Sequence, residues 1–255
     1  MSLFLLGPPG SGKGTYGKLL SQALSIPLLT ASDILKSDKE FTENFIKKGK
    51  LGPDDVVESS VRSFLHDGGY GMHTLTEKGW FAKTYMLDGY PRTPGQYNMM
   101  AKWSPLIKPP VVAVHINLPK EICKKKIMGR VQCVECEGVY NLEEHIDEEK
   151  GWCLPAIFPD RKKCFCDACG AFNKATWAGK YNEKWMKRRS DDVNEDVVEG
   201  RLREYEDVTA KILNEVEERG ERIVEFVPKK GLDSFDVLLA GVKEALEDVD
   251  EDDFV

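Results

Sequence analysis

A glycine- and proline-rich run carrying a single lysine, Gly7-Pro8-Pro9-Gly10-Ser11-Gly12-Lys13-Gly14-Thr15, constrains this chain more than any other feature. It follows an apolar stretch at 2–6. It opens a segment of helical period at 13–24, where Leu19, Leu20, Ala23 and Leu24 share one stripe. Glycines let backbone N–H groups turn inward and approach an anion without Cβ atoms in the way. The helix that follows adds the positive end of its dipole. Strand, glycine loop and helix in this order predict a phosphate-binding loop, with Lys13 reaching the outer phosphates. Gly14 stands between Lys13 and Thr15, where the common pattern has the hydroxyl residue directly after the lysine.

The rest of the chain is consistent with such a loop. Short apolar runs at 2–6, 27–30, 85–87, 111–117 and 222–227 predict five strands, several of them continuously apolar as in sheets covered on both faces. Between them, Val198, Leu202, Tyr205, Thr209, Ile212 and Val216 recur at intervals of four or three and predict one long helix. Alternating strands and helices imply a parallel sheet with helices on both sides. From about 131 to 186, cysteines, tryptophans, glycines and prolines replace that periodicity, and the segment reads as a small inserted module, stapled rather than packed. The end is acidic, with Glu244, Glu247, Asp248, Asp250, Glu251, Asp252 and Asp253, and is expected to be frayed and solvated.

Composition narrows the classes. The chain of 255 residues has 36 Lys and Arg against 43 Asp and Glu, a net charge of −7, which argues against nucleic-acid binding through the overall field. No apolar run approaches the roughly 18 residues needed to span a bilayer, and the first residues lack a signal peptide's basic region. Seven cysteines without a secretory signal imply reduced thiols and a cytoplasmic protein; a trimmed transit peptide would leave no trace.

Three further groups of residues carry chemistry. Asp88-Gly89-Tyr90-Pro91-Arg92-Thr93 lies at the C-terminal end of a predicted strand, where open α/β sheets bind ligands. An Asp there can hold Mg²⁺ through water, and Arg92 can pair with a phosphate through both nitrogens. Cys133 and Cys136, with Cys166 and Cys169, make two Cys-X-X-Cys pairs able to close one tetrahedral Zn²⁺ site. Cys164 and Cys153 lie between the pairs, so Cys164 is an alternative to Cys166, and His145 is a further alternative ligand. Cys123, beside Ile122 and Ile127, is expected to be a core thiol. Arg130 before this segment, and Arg188, Arg189 and Arg201 after it, frame the module with positive charge.

The glycine loop, Asp88-Gly-Tyr-Pro-Arg-Thr with Gln96, and Arg189-Ser190-Asp191-Asp192 together resemble the adenylate kinases and the wider nucleoside monophosphate kinase family over roughly residues 2 to 246. The resemblance implies a three-layer α/β/α P-loop NTPase fold with a five-stranded parallel sheet. A core at 1–29, 67–130 and 189–247 would carry a helical AMP-binding insert at 30–66, a zinc lid at 131–188 and an acidic tail at 248–255. It implies reversible Mg²⁺-dependent transfer between ATP and AMP to give two ADP, by a monomer with small nucleotides as its only partners. Gly10, Ser11, Gly12, Lys13, Gly14, Thr15, Arg130, Val139 and Tyr140 would contact ATP. Ala31, Lys36, Lys50, Leu51, Gly52, Gly89, Tyr90, Pro91, Arg92, Gln96, Arg189 and Arg201 would contact AMP, with Gln96 reading the adenine. Asp33 and Asp88 would hold Mg²⁺ through water, and Lys13, Arg92, Arg130, Arg189 and Arg201 would act on the transferred phosphoryl group.

Three positions depart from the family pattern. Ala31 replaces the usual Thr, Lys36 replaces an Arg that grips the acceptor phosphate, and Lys126 stands where an Arg packs on the donor adenine. Ala31 also fits a UMP/CMP kinase, and GTP is an alternative donor. A rival of another class is a nucleotide-gated zinc ribbon that binds RNA or protein. Trp152, Phe158, Phe165, Phe172, Trp177 and Trp185 with Arg161, Lys162 and Lys163 would serve it.

Overall fold

The computed structural model describes residues 2–36, 38–46, 48, 50–68, 73–76, 79–82, 84–103, 110–136, 138–158 and 186–252. In chain order the first half contains β1 (Leu3–Leu6), α1 (Lys13–Leu24), β2 (Leu28–Thr30), α2 (Ala31–Leu35), the single turn α3 (Lys39–Phe41), α4 (Asp54–Asp67), the hairpin β3 (His73–Thr76) and β4 (Gly79–Ala82), β5 (Met86–Asp88) and α5 (Pro94–Met100). The second half contains β6 (Val112–Ile116), α6 (Lys120–Met128), β7 (Arg130–Cys133), β8 (Val139–Asn141), β9 (His145–Asp147), β10 (Trp152–Leu154), β11 (Met186–Lys187), α7 (Glu195–Asp207), α8 (Ile212–Glu218), β12 (Arg222–Phe226) and α9 (Phe235–Asp252).

The main sheet is five-stranded and parallel, in the order β12-β6-β1-β5-β2. All five predicted strands form, each end within one residue of its expected place. Alternation along β1 divides the core: Leu3 and Leu5 face α1 and α9, while Phe4 and Leu6 face the side that carries α2, α4, α5 and α8. Both sides are therefore covered, which is why the strands read as continuous apolar runs. This is the α/β arrangement of P-loop nucleotide-binding proteins, and β1 and β5 deliver the glycine loop and Asp88 to the same edge.

Two expectations need correction. The single helix predicted across Val198 and Val216 is two helices. The backbone turns at Val208 (φ −122°, ψ −64°), and a 3₁₀ turn, Thr209–Lys211, joins α7 to α8. The Thr209 hydroxyl donates to Arg92 O at 2.8 Å, a tertiary bond that periodicity cannot reveal. Much of the acidic stretch is helical rather than irregular: α9 continues through Asp252, anchored by buried Leu238, Val242 and Ala245 on one face, and residues 253–255 lie outside the described residues.

The cysteine-rich segment does pack where it is described. Val131, Cys133, Tyr140 and Met186 form a small cluster under the antiparallel sheet β11-β7-β8. Trp152 and Leu154 of β10 are buried against Ile122, Cys123 and Ile127 of α6 and Val198 and Leu202 of α7.

Candidate active site

The glycine loop leaves β1 and closes onto α1 through Gly12, which has φ +94° and caps the helix in the left-handed region. Gly10 also has a positive φ, +85°, and a Cβ there would stand 2.5 Å from Cys123 O, so α6 backs the loop too closely for any side chain. Lys13 Nζ donates to Gly7 O at 2.5 Å and Pro8 O at 3.0 Å, folding the ammonium back over the loop. Burial lowers its pKa to about 8; Asp88 pulls it up, and Arg92 and Arg201 push it further down. Ser11 Oγ is buried with no hydrogen-bond partner among the described residues. At the end of β5, burial pushes the Asp88 carboxyl above the usual carboxylate range, against the pull of Lys13, Arg92 and Arg189. Asp88 Oδ2 lies close to Gly14, 3.7 Å from where a Cβ on that residue would be. A glycine loop at a helix N-terminus, a buried ammonium and an acidic side chain brought together here suit a metal-bound polyphosphate.

At the end of β2, Thr30 caps α2 and donates to Asp33 Oδ2. Burial pushes the Asp33 carboxyl up, but hydrogen bonds from Lys36 and Thr30 prevail and hold it low. Lys36 Nζ is 2.6 Å from Asp33 Oδ1, so these two expected ligands pair with each other at the surface. Ala31 is buried beside Gly89. Arg92 folds back over Gly89, where a Cβ would stand 3.1 Å from its Nη2. The Tyr90 side chain is fully buried and stacks on Trp103 at 5.9 Å, and Pro91 is buried as well. Gln96 is 1% exposed, and both ends of its amide are engaged, by Arg92 N (2.8 Å) and by Asp54 Oδ1 (3.0 Å). Lys50 is exposed, Leu51 and Gly52 are half-buried, and a side chain at Gly52 would run into the Phe41 ring.

Three arginines from separate elements meet two adjacent carboxylates. Arg130 Nε and Nη2 both donate to Asp192 at 2.7 Å, and the Asp192 side chain is fully buried. Arg201 reaches Asp191 and Asp192, each at 3.0 Å, and Arg189 grips Asp191 through two nitrogens at 3.1 and 3.2 Å. Burial pushes the Asp191 carboxyl up, yet Arg201, Arg189 and Arg130 together hold it below the usual range. Burial also lowers the Arg201 guanidinium. Three cations share two anions, so the cluster retains one positive charge, which suits an anionic ligand. Arg188, by contrast, is exposed.

Val139 is exposed on β8, and Tyr140 lies in the small core beneath that sheet. Lys126 donates to the carbonyls of Glu143 (2.7 Å) and Leu154 (3.3 Å), pinning the segment that follows β8. Cys123 is buried, as expected of a core thiol. Cys133 is buried at the end of β7, Cys136 is exposed two residues before Gly138, and Gly138 N donates to Cys136 Sγ at 3.4 Å. Among the described residues no three His, Cys, Asp or Glu side chains gather as a metal site. Cys164, Cys166 and Cys169 lie outside the described residues, as do Arg161, Lys162, Lys163, Phe165, Phe172, Trp177 and Trp185.

Two acidic residues belong to the site without having been singled out from sequence. Asp54, the first residue of α4, accepts from Thr93 Oγ1 and Gln96 Nε2. Burial raises the Glu204 carboxyl, which accepts from Leu51 N and lies within the fields of Arg92 and Arg201. Neither sits in a motif; position one turn after Arg201 was the sole signal for Glu204.

The family model for adenylate kinase matches residues 5–221. The chain is 30% identical over 172 residues to an adenylate kinase of Rickettsia bellii, covering 64% of this chain and 74% of that protein. An adenylate kinase of Rickettsia prowazekii is likewise 30% identical over 172 residues, 64% of this chain and 75% of that protein. One from Rickettsia akari is 26% identical over 221 residues, 84% of this chain and 85% of that protein. The matched span runs from β1 through the glycine loop, Asp88, Arg92 and the arginine cluster to the end of α8. The chain therefore belongs to the adenylate kinase family of nucleoside monophosphate kinases.

Proposed function

We propose that this protein catalyses the reversible reaction Mg·ATP + AMP ⇌ 2 ADP. The observation that carries this reading is the convergence of Lys13, Asp88, Arg92, Arg189 and Arg201 at one loop mouth, where each feels the charge of others. The glycine loop and Lys13 take the donor phosphates, and Arg92 takes the acceptor phosphate. Asp88 and Asp33 would hold Mg²⁺, with Thr15 as a further oxygen, and the ion would neutralise charge on the donor phosphates. The site has no need of a strong base. Its task is to align two nucleotides, neutralise spreading charge and exclude water. Arg130, Arg189 and Arg201 supply fixed positive charge, and Asp191 and Asp192 keep their guanidinium planes in place before substrate arrives.

The division into core (1–29, 67–130, 189–247), acceptor insert (30–66), lid (131–188) and tail (248–255) belongs to the same reading. So does a structural Zn²⁺ site in the lid, formed by Cys133, Cys136, Cys166 and Cys169. The N–H of Gly138 on Cys136 Sγ supports it, because such donors favour a thiolate. The reaction is tested by following ADP and inorganic phosphate together. AMP-dependent ADP formation with little phosphate release is expected. ATP hydrolysis indifferent to AMP would overturn the reading.

A further inference from the structure

Asp54 does more than begin a helix. Its Oδ1 accepts from Thr93 Oγ1 at 2.9 Å and from Gln96 Nε2 at 3.0 Å, joining α4 to the N-cap and first turn of α5. The far end of the Gln96 amide, Oε1, accepts from the backbone N–H of Arg92 at 2.8 Å. Thr93 Oγ1, held by Asp54, caps α5 by accepting from Gln96 N at 3.0 Å. The carbonyl of the same Arg92 accepts from Thr209 at 2.8 Å. A side chain at Gly95 would run into Asp54 Oδ2, so the glycine between Pro94 and Gln96 makes room for the carboxylate.

The hydrogen-bond capacities of these groups fix their arrangement. An ionised carboxylate only accepts, and a backbone N–H only donates. The Gln96 amide between them has one orientation that satisfies both. Reversing it in a side chain only 1% exposed would set donor against donor and acceptor against acceptor. We infer that Asp54 is a positioning residue for the acceptor half of the site: it orients the buried Gln96 amide, which in turn holds the Arg92 backbone. The inference rests on the reading that Arg92 takes the acceptor phosphate. In this role Asp54 acts through Gln96 rather than on a nucleotide.

The test is a steady-state comparison of KM for AMP and for ATP. Asp54→Ala is expected to raise KM for AMP about tenfold while KM for ATP stays within about twofold. Asp54→Asn keeps an acceptor oxygen and is expected to restore most of the loss. Because Asp54 acts through the amide, adding Asp54→Ala to Gln96→Leu should raise KM for AMP by less than about twofold more. Gly95→Ala leaves every polar group in place but crowds Asp54, and is expected to reproduce the selective effect even if Asp54→Ala does not fold. Equal rises in both constants, or an undiminished Asp54→Ala effect beside Gln96→Leu, would overturn the inference alone. Absence of AMP-dependent turnover in the unaltered protein would overturn the functional reading, and the inference with it.

Discussion

Burial leaves the Lys13 ammonium with a pKa of about 8, so its charge is lost at a pH where an ordinary lysine is still fully protonated. In the free protein Lys13 is charged below about 8 and neutral above it. We therefore expect kcat/KM for ATP to fall as pH rises through about 8. Lys13→Arg should lower the plateau yet remove that alkaline limb, because a guanidinium keeps its charge. A limb that survives in the variant would assign the titration to another group. The same shift opposes folding below pH 8 and ceases to do so as pH rises towards 10.5, the ordinary pKa of a lysine. Arg92→Ala should leave ATP affinity nearly intact and remove about 3 kcal/mol of transition-state stabilisation, read as kcat/KM for AMP. The glycine loop was legible because its chemistry demands contiguous residues. Asp54 and Glu204 were not, since a lone carboxylate acquires its role only when the fold brings Gln96 or Leu51 N to it.

At the level of elements, strands were easier to read than helices. The sheet strands are short, mostly apolar and bounded by a glycine, a proline or a charge, and burial on both faces marks β1 and β6 most clearly. The 198–216 pattern kept its phase across Val208, so periodicity reported one helix where a bond from Thr209 to Arg92 O imposes two. The arginine cluster was partly legible, as cationic residues flanking an irregular segment. Its tie to Asp191 and Asp192 depends on β7, α7 and the turn Ser190–Asp192 meeting in space. Asp192→Asn leaves two guanidinium groups beside a fully buried neutral amide, and should destabilise the protein by about 3 kcal/mol in denaturant titration. An unchanged midpoint would mean that the cluster is held by packing alone. In the lid, Cys133→Ser should lower both the zinc content measured by elemental analysis and the melting temperature. A metal-free protein that melts as before would reduce Cys133 to a core residue of the small sheet.

At the scale of the whole molecule, the sheet and its helices position the site. The parallel sheet, covered by α1 and α9 on one side and by α2, α4, α5 and α8 on the other, fixes Lys13 and Asp88 with respect to each other. The arginines reach the same mouth from elements on either side of the cysteine-rich segment, and Arg92 is tied to α4 through Asp54 and Gln96. Charges that flank the cysteine-rich segment in sequence are thus held beside Lys13 and Asp88, where the proposed reaction needs them. That is what transfer to a nucleotide rather than to water requires. What the sequence left open is the acceptor base, since Ala31 and Gln96 point to different nucleotides. The most direct test is ADP formation from Mg·ATP with AMP, UMP, CMP and dAMP compared side by side. Fast turnover with AMP and much slower turnover with UMP and CMP is the predicted result; a preference for UMP or CMP, or no turnover with any acceptor, would contradict it.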